Sequence, residues 1–256
     1  MHNNKLTQTN IGFALHGYEN DILSWLELIV NFYETNLYPL KSVSYDIDYN
    51  KEQTKSLKTF YRTIKEDKNY PIDKLYSFTV FSGESQRYPD TWHYGCYFDK
   101  PSKGLIMFFD SSYEEEQILQ FYKNFLQALL KGKVVWTGYL FYEERHFAYP
   151  LGGIFLTQNF YKEDGEIWKK FAHRLNIAET LQKKDMYRHI YKQNILSKRH
   201  LEEKFDKMLL TEWVDKNNYG VIEKIGTENW LWTVPEKKLR EVQMIFYNKK
   251  LLLGVE

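Results

Sequence analysis

Residues 74–110 read KLYSFTVFSGESQRYPDTWHYGCYFDKPSKGLIMFFD, and this stretch decides the fold. Three runs in it, 74–81, 92–98 and 105–110, are rich in the aromatic and branched side chains that fit a pleated surface. SGESQRYPD and DKPSKG part them, and both are full of turn formers. Linkers this short join antiparallel neighbours, because a parallel pair needs a long crossover. The stretch predicts three antiparallel strands in succession.

Helices flank this unit on both sides. After it, residues 114–131 place Ile118, Phe121, Tyr122, Phe125, Leu126, Leu129 and Leu130 on one helical stripe, with three glutamates in the first turn, where the positive helix end favours them. VVWTGYLFY at 134–142 is the next strand. Before it, IGFAL at 11–15 reads as a strand. Asn20 or Asp21 is placed to cap a helix carrying Ile22, Trp25, Leu26, Ile29, Val30 and Tyr33. SVSYDIDY at 42–49 alternates as a half-buried strand, and 51–67 is charged with helical spacing. Residues 11–142 therefore predict the order β-α-β-α-β-β-β-α-β, an α+β fold of helices packed on a mostly antiparallel sheet.

The pattern breaks at AYPLGGIFLTQ, residues 148–158. The reading places a sheet-and-helix domain over 1–160 and a mainly helical C-terminal part over 161–256, the two able to form one continuous domain. Residues 162–176 and 201–210 have helical spacing, and Asn217, Asn218 and Gly220 mark a turn. A short strand pair follows at 219–225 and 230–234. Pro235 opens a last helix, where its missing N–H is harmless.

The chain has 256 residues, of which 43% are apolar, so it buries a substantial core and disorder is excluded. Its aromatic share is 18%, with 21 Tyr, 17 Phe and 7 Trp. That content suits a sheet core and equally a surface built to grip another. The net charge of +1 demands no polyanion. Residues 1–128 carry 13 basic and 17 acidic side chains, whereas 129–256 carry 22 and 17. A single cysteine, Cys96, allows no disulfide within the chain. The N-terminal MHNNKLTQTN has no apolar stretch, and runs such as 104–109 fall far short of a membrane helix. The expectation is a cytoplasmic protein without membrane contact.

No motif brings a complete set of reactive groups together. His93 and Cys96 form an H-x-x-C half-site with no second half, and their odd separation points them to opposite strand faces. Cys96 sits in YGCYF, an aromatic strand that should raise its pKa and make it a poor nucleophile. There is no G-x-S-x-G elbow and no phosphate-binding glycine loop. Asp46 and Asp48 form a D-x-D on one strand face, the pair by which a metal-dependent transferase holds its cation, with His93 or Glu144 nearby. A solvated strand face explains them as simply. Lys183, Lys184, Arg188, Lys192, Lys198 and Arg199 interleave with Tyr187 and Tyr191, which would suit a nucleic-acid-binding module. Asp185, Glu202 and Glu203 dilute that patch, so nucleic acid is a disfavoured partner. No catalytic residue, cofactor or metal is expected.

The runs KLYSFTVFSGESQRYPDTWHYGCYFD and GLIMFFDSSYEEEQI resemble bacterial immunity proteins, the antidotes encoded beside polymorphic or type VI secreted toxins. The ending is similar too: KQNILSKRHLEEKF, then LTEWV, then YGVIEKIGTENWLWTVPEKKLREVQMIFYNKKLLLGV. The resemblance covers about two thirds of the chain and implies tight binding of one toxin, with no catalytic residues to carry over. Loops between well-formed elements are the expected contacts. In this chain they would supply Glu84, Arg87, Tyr88 and Asp90 from one loop, and Glu143, Glu144, Arg145 and His146 from another.

Overall fold

The computed structural model describes residues 9–16, 22–47, 52–67, 69–83, 93–100, 104–110, 112–130, 137–144, 187 and 189–252. The strands are β1 (Thr9–His16), β2 (Ser42–Ile47), β3 (Gln53–Ser56), β4 (Leu75–Phe81), β5 (Tyr94–Asp99), β6 (Gly104–Phe109) and β7 (Thr137–Glu144). In the C-terminal part they are β8 (Gln193–Ser197), β9 (Lys204–Phe205), β10 (Met208–Leu209), β11 (Val221–Lys224) and β12 (Asn229–Thr233). The helices are α1 (Ile22–Thr35), α2 (Leu57–Glu66), α3 (Glu115–Leu129), α4 (Lys198–Glu202), α5 (Leu210–Lys216) and α6 (Glu236–Asn248). A 3-10 turn, Ile72–Lys74, leads into β4.

Ten described strands form one sheet in the order β11-β12-β8-β7-β1-β6-β5-β4-β2-β3. Each neighbouring pair is antiparallel, and β4, β5 and β6 lie side by side as the 74–110 stretch predicts. Strand β6 is buried along its whole length, which explains its unbroken apolar run. Leu105, Met107 and Phe109 face one core with the apolar stripes of α1 and α3, while Ile106 and Phe108 face the other side.

The C-terminal part is less helical than its spacing suggests. Its strands β8, β12 and β11 extend the main sheet instead of pairing apart from it. Alternation then divides their side chains between two faces: Ile195 and Leu231 join the first core, whereas Leu196 and Trp232 join a second. That second core contains residues of α5 and α6, so these helices cover the face opposite α1 and α3. The predicted 201–210 helix is interrupted by the β9–β10 hairpin. Its two turn residues, Asp206 and Lys207, adopt φ of 51° and 72°, the twist a tight hairpin requires. Strand β3 also occupies a segment whose charge and spacing predict helix. Its last residue, Ser56, then caps α2 by accepting from the Thr59 N–H at 3.2 Å. Pro235 caps α6 from one position outside it. At Gly220, φ is +104° and a Cβ would sit 1.8 Å from the Thr233 carbonyl oxygen, so only glycine fits that turn. The predicted 162–176 helix lies outside the described residues.

Candidate functional site

One end of the sheet gathers the polar groups of interest. Register fixes which termini meet there: Tyr94 pairs with Phe109, Gly95 with Phe81, Ile11 with Phe109, and Thr9 with Glu144. Ser82, His93 and Glu144 therefore lie at the same end of the sheet, beside the two stretches whose residues the sequence singled out. Strands β5 and β7 are three strand spacings apart, about 14 Å. Glu143 and Glu144 sit on β7 opposite Asn10 and Thr9. Glu84, Arg87, Tyr88, Asp90, Arg145 and His146 lie outside the described residues.

The best-formed polar constellation at this end joins residues that no sequence motif links. His93 Nδ1 lies 2.7 Å from Asp110 Oδ2. The imidazole is half exposed at 54%, but the carboxyl is buried at 1%. The other Asp110 oxygen, Oδ1, accepts from the Ser112 N–H at 3.0 Å and from the Ser112 hydroxyl. The main chain is pinned as well. Ser82 Oγ accepts from the His93 N–H at 2.9 Å and from the Tyr94 N–H at 3.3 Å, while the Asp110 N–H donates to the His93 carbonyl at 2.7 Å. A signal for the pair exists in the sequence. Once Tyr94 pairs with Phe109, residues 93 and 110 are the next opposed positions.

Aromatic rings cluster on the neighbouring strand pair, Tyr94 and Phe109. Tyr38 packs edge-on against Tyr94, Phe109 and Tyr113, at 5.4, 5.1 and 5.7 Å between centroids. Tyr94 donates to the Pro39 carbonyl at 3.0 Å, and Tyr33 donates to the Gly95 carbonyl at 2.6 Å. Burial, then the neighbouring Tyr94, Asp110 and Tyr38, push the Tyr113 phenol up to about 12, so it stays protonated. Next to the rings runs an open groove of about 640 Å³ along α3, lined among others by Asn36, Tyr38, Glu114, Glu116, Gln117 and Gln120. Leu37, in the turn that follows α1, is 87% exposed and holds φ of +66°.

The other sequence candidates do not converge. Cys96 points into the first core, fully buried, and burial holds its thiol well above its usual pKa. It is separated in role from His93, whose ring is engaged by Asp110. No group of three or more His, Cys, Asp and Glu residues gathers to hold a metal among the described residues. Asp46 lies at a bulge in β2, with Oδ1 buried and lacking a hydrogen-bond partner, and Asp48 lies outside the described residues. Of the basic patch, Lys192 pairs with Glu115 at 2.7 Å and Lys198 with Glu202 at 3.9 Å, so both cations have acidic neighbours. Lys183, Lys184 and Arg188 lie outside the described residues. No described helix is long and apolar enough to cross a membrane.

No family model matches the chain, and no curated protein matches it in sequence. Among solved structures it is similar to the Pseudomonas aeruginosa T6SS protein PA0821, with a TM-score of 0.53 and 12% sequence identity. The match covers 95% of this chain and 72% of that one. At this identity the likeness is one of fold.

Proposed function

We propose that this chain is an immunity protein that binds and neutralises a cognate secreted toxin in the cytoplasm. The observation that carries the proposal is the fold shared, over nearly the whole chain, with a type VI secretion system protein of Pseudomonas aeruginosa. The sequence resemblance to immunity proteins supports the same reading independently. The sheet end adds the surface such a protein needs: fixed aromatic rings, an oriented imidazole and an adjacent groove on a rigid scaffold.

The test is co-expression with the product of the adjacent upstream gene. The chain should rescue the growth of cells making that product, and the two should co-purify as a complex. Independent elution combined with no rescue refutes the proposal.

A further inference from the structure

The His93–Asp110 pair is arranged as more than a strand-end staple. A buried carboxylate is unfavourable unless paired and hydrogen-bonded. Asp110 satisfies that condition with Ser112 on one oxygen and the imidazole on the other. Closing the β5–β6 ladder needs no ring, since the main-chain bond from Asp110 to His93 already extends it. What the carboxylate adds is orientation. It holds the Nδ1 proton between ring and carboxylate, which in the neutral imidazole leaves the Nε2 lone pair as an acceptor on the half-exposed ring. Ser82 fixes the backbone beneath, so little freedom remains to be lost on contact.

Building on the immunity reading, we propose that His93 is the polar anchor of the toxin-binding surface, its Nε2 accepting a hydrogen bond from an arginine or lysine of the partner. The chemistry of the surroundings selects a cation. Through its Nδ1 contact the ring is backed by the Asp110 carboxylate, and charge-assisted hydrogen bonds are the strong ones. Residues 1–128 are net acidic, which favours a basic partner surface.

The test uses the intact chain and the toxin that co-purifies with it, with affinity measured by calorimetry and folding by thermal denaturation. His93→Asn retains a donor for Asp110 but lacks Nε2. Asp110→Asn keeps the ring but offers it a donor, which reverses the tautomer and turns Nε2 into a donor. Each variant should weaken binding by about tenfold or more, because a buried partner group is left unpaired. His93→Asn should melt near the wild-type temperature. Two-bond ¹H–¹⁵N spectra of the free protein should show the Nδ1–H tautomer for His93 and its reversal in Asp110→Asn.

Binding by His93→Asn within twofold of wild type overturns the anchor role and leaves the immunity reading intact. Weakened binding by His93→Asn with unchanged binding by Asp110→Asn, or an Nε2–H tautomer in the free protein, overturns the assignment of a cationic donor. If the wild-type chain neither rescues nor captures the upstream product, the immunity reading fails and the anchor falls with it.

Discussion

Replacing Asn194 by alanine should loosen the seam where the C-terminal strands join the sheet. Strand β8 meets β7 through two register pairs, Gly138 with Ile195 and Tyr139 with Asn194. Asn194 is 3% exposed. Its Oδ1 accepts from the Tyr191 N–H at 2.9 Å, and its Nδ2 donates to the Tyr191 carbonyl at 2.7 Å, with a longer contact to the Trp232 carbonyl at 3.5 Å. Alanine removes both short bonds and strands two buried main-chain groups. Each such loss costs roughly 1–3 kcal/mol, so the substitution should destabilise by about 4 kcal/mol. For a chain of this size the melting temperature should fall by about 8–16 °C. Urea unfolding followed by circular dichroism measures the change, with the slope against urea unaltered if the native state keeps its compactness. Asn194→Asp keeps the acceptor but sets a buried carboxylate against the Tyr191 carbonyl, so it should be at least as damaging at pH 7. A loss below about 1 kcal/mol in Asn194→Ala would refute the reasoning, since it falls at the bottom of the range for one such bond.

Three further outcomes follow from the buried groups. Cys96 is fully buried with its thiol pKa raised, so a thiol reagent at pH 8 should label it only as the chain unfolds; rapid stoichiometric labelling of folded protein contradicts this placement. Burial pushes Tyr61, Tyr70 and Tyr113 up to about 12, and burial together with Glu241 does the same to Tyr219. An unfolded tyrosine ionises near pH 10, so their stabilisation is fully present below about pH 10 and is lost as pH rises through about 12. Phenolate absorbance should therefore lag behind that of free tyrosine until the circular dichroism signal collapses, and full ionisation near pH 10 with the fold intact refutes it. Calorimetry with millimolar magnesium or manganese should be silent; one-site heat that vanishes in Asp46→Asn would instead favour the transferase reading.

Much of the architecture is legible locally. The stripe on α3 reports one buried face, because side-chain direction repeats every 3.6 residues in a helix. The alternation in β2 predicts a half-buried strand, whereas Ser42 and Ser44 are in fact buried along with Val43 and Tyr45. The three strands of 74–110 are readable because their turns are short. Strand β3 and the β9–β10 hairpin were missed for a matching reason. They are four and two residues long, too brief for any periodicity to emerge above charge and spacing.

The sequence by itself determined the α+β class, the antiparallel run through 74–110, the apolar strand setting of Cys96 and the lack of a local catalytic motif. Only the tertiary structure decided that β8, β12 and β11 continue the main sheet, because strand order is set by pairing between segments far apart in the chain. It also decided that His93 and Asp110, 17 positions apart, meet at 2.7 Å with one ring nitrogen engaged and the ring half exposed. Each residue alone is an ordinary polar side chain at the end of an apolar run. Strand register opposes the two, and burial of one partner turns that neighbour relation into a fixed, oriented pair.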